Sequence, residues 1–152
     1  MSDAPSIKSR ISEDVKAAMR AGERARLTTL RGIMAALKQI EVDTRETLDD
    51  AGTIAVLDKL TKQRRESIEQ FTNAGRDDLA ARESDELAII QEYLPPPLDN
   101  AAIEALIEET IAGTGAVGMK DMGKVMAKLR PELQGRADMA AVSARIKARL
   151  TG

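Results

Sequence analysis

The chain has 152 residues, of which 43% are hydrophobic and 32% are charged, and its formal net charge is −2. This composition is sufficient for a packed core and is not that of a disordered chain. The sequence contains no Cys and no His, which excludes thiol nucleophiles, Ser-His triads, Cys/His zinc sites and imidazole acid–base catalysis.

Four helices are predicted before residue 95, because apolar residues recur there at helical spacing and no alternating strand pattern is present. The near absence of aromatic residues, with one Phe and one Tyr, also favours helices over strands. The predicted helices run from residue 7 to Gly22, from 23 to 42, from the cap residue Asp49 to 74–75, and from there to residue 94.

Three consecutive prolines at 95–97 cannot continue a helix and favour an extended, semi-rigid segment. We therefore predict an all-α fold, with an N-terminal four-helix domain at 1–94, a proline hinge at 95–97 and a small three-helix domain at 98–152. The three later helices are predicted from the cap Asp99 to Gly113, over 119–130 until Pro131 ends or kinks the helix, and after the cap Asp138.

The segment GTGAVGMKDMGKV, at 113–125, contains both G-x-G-x-x-G and G-x-x-x-x-G-K. Each motif binds phosphate where a strand turns into a helix, but here a helix precedes the glycines. Val125 also occupies the position at which a P-loop needs Ser or Thr for Mg²⁺. We therefore expect the segment to connect two helices and to bind no nucleotide, cofactor or metal. Gly123 is expected to be a close-packing position on the helix that follows.

The charges divide unevenly along the chain, because residues 119–152 contain 8 basic and 3 acidic side chains. Lys120, Lys124 and Lys128 are four residues apart and fall on one stripe of a helix. Solvated faces of amphipathic helices explain such charges most simply, and an RNA-binding surface is the alternative. Because this end of the chain has no aromatic residue, RNA would be held by its backbone and shape rather than by base stacking. The candidate RNA-binding residues are Lys120, Lys124, Lys128, Arg136, Arg145 and Arg149.

Two further groups have simpler explanations. Lys62, Arg64 and Arg65 form a basic patch on the third helix, where pairing with Glu66 and Glu69 is expected. The methionines 119, 122 and 126 have the helical spacing of core residues, with an adaptable partner groove as the alternative. Adjacent acids diverge around a helix, so we predict no catalytic residue.

Three segments carry a resemblance to a known family: RLTTLRGIMAALKQIEV (26–42), KQRRESIEQFTNAGRDDLAARESDELAIIQEYLPPPL (62–98) and MKDMGKVMAKLRPELQGRADMAAVSARIKARL (119–150). Together they resemble the YqeY family, also called the GatB/YqeY domain, along nearly the whole chain. That family is similar to the C-terminal tail of the B subunit of the tRNA-dependent amidotransferase. The resemblance implies an all-α fold with four helices followed by three.

The resemblance also implies a function, because the tail of the amidotransferase helps to hold tRNA. It points to a non-enzymatic tRNA-binding module, accessory to amidotransferase or aminoacyl-tRNA chemistry, with amidotransferase or an aminoacyl-tRNA synthetase as protein partner. One alternative is an amidotransferase-like component of a carbon–nitrogen ligase with glutamine as amido-N-donor. Another is a helical adaptor using the hairpin of the third and fourth helices. We expect a soluble, cytoplasmic protein that binds neither DNA nor a membrane.

Overall fold

The computed structural model describes residues 5–151. Seven α-helices and no strand are present in this range, which confirms the predicted all-α class. The chain divides into two compact units, Met1–Leu94 and Pro95–Gly152. Each unit is described by itself below, as the N-terminal and the C-terminal unit.

The N-terminal unit contains α1 (Ile7–Ala21), α2 (Arg24–Thr44), α3 (Asp50–Asn73) and α4 (Asp77–Gln91). Asp49 caps α3 as predicted, because its side chain accepts a hydrogen bond of 2.8 Å from the Gly52 amide. The helix faces bury an almost wholly aliphatic core, consistent with the scarcity of aromatic residues. Its buried members are Ile11, Ala18, Leu30, Ile33, Leu37, Leu57, Ile90 and Tyr93.

Tyr93 is the exception to the aliphatic core and connects the two ends of the N-terminal unit. The residue is 3% exposed, and its hydroxyl donates a hydrogen bond to the Asp14 carboxylate of α1. Burial, reinforced by this bond to a carboxylate, raises the pKa of the phenol. Nearby, Arg26 of α2 donates to both carboxylate oxygens of Glu92, at 2.7 and 3.2 Å. These contacts fasten the end of α4 to α1 and α2.

The C-terminal unit contains α5 (Asn100–Thr114), a 3-10 turn (Met119–Asp121), α6 (Met122–Leu133) and α7 (Met139–Thr151). Asp99 caps α5 by accepting from the Ala102 amide at 2.8 Å. Asp138 accepts from the Ala140 amide at 3.0 Å at the start of α7, as expected of a helix cap. The buried core consists of Ile103, Ile107, Val125, Leu129, Leu133, Val142 and Ile146.

The helices α5 and α6 extend beyond their predicted ends, and Pro131 does not end α6. The helix α5 continues past Gly113 to Thr114, and Gly115 ends it in the left-handed region, with a φ of 68°. The helix α6 continues through Pro131 to Leu133. A proline inside a helix has no N–H to donate to the carbonyl four residues earlier, so α6 lacks one backbone hydrogen bond at Pro131. Leu133, in the last turn of α6, is 0% exposed.

Candidate nucleic-acid interface

The helix α6 separates its apolar and cationic residues onto two faces. Val125, Leu129 and Leu133 recur every four residues, and all three are 0% exposed. Burial of this stripe fixes the rotation of the helix, so the residues one position earlier point away from the core. Lys124 and Lys128 lie on that outer face and are exposed, as is Lys120 in the preceding 3-10 turn. These three residues are called the lysine stripe below.

The lysine stripe is not neutralised by ion pairs within the described part of the chain. None of its three ammonium groups lies within 4.0 Å of a carboxylate oxygen of residues 5–151. The nearest acid in sequence is Asp121, whose pKa is lowered chiefly by a hydrogen bond from the Val117 amide and further by the charges of Lys124 and Lys120. Lys128 borders a shallow depression that Glu109 and Glu132 also line. These three acids lie near the stripe without forming an ion pair with it, so its ammonium groups stay available to an anion.

The two candidate arginines of α7 are held by α5 instead. Arg145 lies 3.2 Å from a carboxylate oxygen of Glu104 and donates to the Asn100 side chain at 2.8 Å. Arg149 bridges Glu104 at 3.0 Å and Glu108 at 2.7 Å, and the bond to Glu108 raises the pKa of this guanidinium. Acids of α5 thus pair with both of these arginines of α7. These pairs reduce the positive potential that the arginines offer to an anion.

Arg136 has a different environment from the other candidates. It is partly buried, and its Nε donates to the Pro96 carbonyl oxygen at 3.0 Å. Its own carbonyl accepts from the Leu98 amide at 2.9 Å. Arg136 therefore holds the extended segment that leads into α5.

In the glycine-rich connection between α5 and the 3-10 turn, the backbone amides donate to acceptors in α5 and in the turn. Gly115 donates to Ala112 at 3.3 Å, and Ala116 donates to Ile111 at 3.2 Å. Val117 donates to the Asp121 carboxylate at 3.0 Å. A phosphate cradle needs free amides at such positions. Since these amides have internal acceptors and α5 precedes them, the connection is built as a helix terminus followed by a tight turn.

The same connection contains an exposed apolar residue, Val117, whose exposure the sequence pattern did not indicate. Val117 is 79% exposed and Met119 is 42% exposed, although Met119 was predicted to be a core residue together with Met122 and Met126. The latter two do pack against the core. Periodicity gives no information in a turn, so only the placement of valine between glycines could have indicated an exposed apolar side chain.

The prediction that Gly123 is a close-packing position is wrong, because a Cβ atom built there has no heavy atom within 4 Å.

Alanine substitutions at Gly123, inside α6, and at Gly115, which ends α5, test the different backbone roles of these two glycines. Gly123→Ala in exposed helix is expected to stabilise the protein by about 0.5–1 kcal/mol. Gly115→Ala is expected to cost about 1 kcal/mol, because alanine is strained at a φ of 68° even where space is open. Urea unfolding of both variants measures the difference; equal effects would contradict the backbone explanation.

The basic patch of the N-terminal unit is arranged differently from the prediction. Arg64 Nε lies 2.9 Å from Glu86 and 3.4 Å from Glu83, both on α4, so its partners are not the predicted Glu66 and Glu69. Lys62 and Arg65 are exposed and form no ion pair with the described residues. They are free cations on α3 and provide a matched control for the lysine stripe.

Two other kinds of site are absent from residues 5–151. No group of three or more His, Cys, Asp or Glu side chains comes together there in a way that could hold a metal ion. Nor does that range contain a helix with the length and apolar character needed to cross a membrane.

Comparison with known families identifies the family of the chain. Residues 8–150 match the YqeY family, whose description is "Yqey-like protein". The chain belongs to the YqeY family. This confirms the resemblance carried by the three sequence segments along nearly the whole chain.

The relatives are fungal proteins named "Altered inheritance of mitochondria protein 41, mitochondrial". The one from Pyrenophora tritici-repentis is 30% identical over 141 residues, which is 91% of this YqeY-family chain and 77% of the relative. The one from Vanderwaltozyma polyspora is 32% identical over 74% of the chain and 64% of the relative. The one from Eremothecium gossypii is 40% identical over 55% of the chain and 46% of the relative. The match thus spans less than two thirds of the latter two relatives.

These names contradict the predicted cytoplasmic location, which is wrong by this comparison. The relatives from Vanderwaltozyma polyspora and Pyrenophora tritici-repentis are both called mitochondrial. Absence of cysteine does not distinguish one compartment from another, because a chain without thiols forms no disulfide anywhere.

Proposed function

We propose that this YqeY-family chain is a non-enzymatic tRNA-binding module, accessory to tRNA-dependent amidotransferase or aminoacyl-tRNA chemistry. The lysine stripe holds the phosphate backbone of the RNA. The observation that carries the proposal is the set of three exposed ammonium groups, outside ion-pair distance of any carboxylate in the described part of the chain. When such ammonium groups bind phosphates, the counterions condensed on the RNA are released, and this release favours association.

The spacing of the lysine stripe supports contact with an extended backbone. Residues four apart on a helix are separated by a rise of about 6 Å along its axis. Lys120 lies in the 3-10 turn that leads directly into α6 and is exposed as well. The buried face of α6 holds the stripe in place, because Val125 and Leu129 are fully buried beneath it. A row of cations on a fixed helix follows a row of phosphates with little loss of backbone entropy.

The composition of the C-terminal unit supports recognition by shape rather than by sequence. The single Phe and single Tyr of the chain, Phe71 and Tyr93, both precede the proline run. Proteins that read single-stranded bases stack them on aromatic rings. We therefore assign folded RNA as the ligand. Arg136, Arg145 and Arg149 support the contact, with smaller individual contributions because each already has an internal partner.

The domains that we propose are those predicted from the sequence. We propose that residues 1–94 form a four-helix domain, that 95–97 form a proline hinge, and that 98–152 form the three-helix domain that binds RNA. The buried residues group into two separate core clusters, which supports this division. A domain with its own core can fold alone.

The direct test is a salt titration of the binding of folded tRNA to the full chain. We expect affinity to fall linearly on a log–log plot, with a slope of roughly −0.7 to −0.9 for each phosphate neutralised. Binding to different tRNAs should be similar, because phosphate contacts position a protein without reading sequence. Absence of measurable binding at about 50 mM salt would overturn the proposal and return the lysines to the role of a solvated helix face.

A further inference from the structure

A small recess lies in the C-terminal unit beside Ala116 and Val117 of the glycine-rich connection, which are called the tip below. Its volume is about 260 Å³, and its apolar walls come from the end of α5, from the tip and from the end of α7. Val117 forms one wall and is 79% exposed. The lining residues are Glu108, Ile111, Ala112, Ala116, Val117, Arg149 and Leu150.

The tip is held firmly although its side chain faces solvent. The Val117 amide donates to the Asp121 carboxylate at 3.0 Å, and the Asp121 amide donates to the Gly118 carbonyl at 2.9 Å. These bonds close the turn on both sides. The Ala116 amide bonds back to α5 at Ile111. An apolar side chain fixed in an exposed position loses little conformational entropy when it is covered, which favours a binding role.

The rim of the recess is polar and paired. Arg149 and Glu108 form an ion pair of 2.7 Å there, so one donor group and one acceptor group flank the apolar walls. The lysine stripe begins nearby, since the tip is bonded to Asp121, which lies between Lys120 and Met122 in the chain. An apolar slot with a paired polar rim next to phosphate-binding cations matches the chemistry of a nucleotide. A nucleobase has apolar faces and hydrogen-bonding edges, and its phosphates are anionic.

We propose that the recess receives one unpaired nucleobase of the bound RNA, with Val117 covering its face and the Glu108–Arg149 pair reaching its edge. This inference rests on the proposed function and adds to it a preference for RNA with an exposed, unstacked base. Folded RNAs offer such bases in loops and bulges, whereas a continuous duplex does not. Glutamate accepts from exocyclic amino groups, and arginine donates to ring nitrogen and carbonyl acceptors.

The test compares Val117→Ser with wild type on two probes, folded tRNA and a fully paired RNA duplex of similar length. Val117→Ser should bind tRNA roughly five- to tenfold more weakly, because apolar contact with the base is lost. Its salt slope should equal that of wild type, since no phosphate contact is removed. Duplex binding should be the same for both proteins. Val117→Ile should retain the affinity of wild type for tRNA.

The chain provides a matched control in Val42, an exposed valine of α2 in the N-terminal unit at 60% exposure. Val42→Ser should leave tRNA binding unchanged. If wild type binds tRNA and Val117→Ser binds equally well, the recess proposal is overturned while the tRNA-binding proposal stands. The recess proposal is also overturned if Val117→Ser weakens binding to anionic phospholipid vesicles and not to tRNA. If wild type binds no tRNA, both proposals fail.

Discussion

The double reversal Lys124→Glu, Lys128→Glu is expected to weaken tRNA binding by about 100-fold at about 50 mM salt. At a slope of −0.9 for each phosphate, one contact contributes on the order of tenfold at this salt concentration relative to 1 M. Two contacts are lost together, and the new carboxylates repel the backbone in addition. Both side chains are exposed, so the helix should keep its fold. Circular dichroism of the variant verifies that it does.

The slope of the same salt titration identifies the cause of the loss. It should become shallower by roughly two units, one for each contact. The matched control is Lys62→Glu, Arg65→Glu, which makes the same change of charge at two exposed cations of α3. We expect little effect from it, because the proposal places the RNA on the C-terminal unit. Equal losses from the two double variants would show that total charge rather than the lysine stripe determines binding.

Leu129→Ala is expected to lower the free energy of unfolding of the C-terminal unit by about 2–5 kcal/mol. Leu129 is 0% exposed and is one of seven buried residues in that core. Small cores give marginal stability, so the removal of one fully packed leucine takes a large share of the total. Unfolding of this unit should release α6 and with it the lysine stripe. Calorimetry and tRNA binding on the full chain measure the two effects.

The counterpart Leu57→Ala makes the same truncation in the core of the N-terminal unit, where Leu57 is also 0% exposed. If residues 1–94 and 98–152 are separate domains, each variant should shift a different thermal transition. In each variant, protease cleavage near the proline run should increase only when the temperature reaches the thermal transition of that variant's truncated unit. A single transition lowered equally by both truncations would contradict the proposed division into two domains.

Local signals in the sequence predict the helices well, because caps and periodicity act over a few residues. Asp49 and Asp99 cap helices as expected, since each needs only a backbone amide three residues later. Of the two alternatives for Pro131, an end or a kink, the end is wrong, because the burial of Leu133 offsets the low helix propensity of proline. Propensity is a weak guide where packing opposes it.

Contacts between distant residues could not be predicted in the same way. The Tyr93 hydroxyl and the Asp14 carboxylate are 79 residues apart, and Arg145 and Glu104 are 41 apart. No pattern within one helix indicates such a pair. For the candidate site, the four-residue spacing predicted that the lysines share a face, and they are exposed. It did not predict that the arginines of α7 would be paired with α5, which required knowing which helices are neighbours.

The acids of α5 and the arginines of α7 form a shared set of ion pairs in the C-terminal unit. Arg145 and Arg149 both contact Glu104, and Arg149 also contacts Glu108. Under the proposed function, these carboxylates compete with RNA for the two guanidinium groups. A phosphate must displace a carboxylate to reach Arg145 or Arg149, whereas it reaches the lysine stripe without any such exchange.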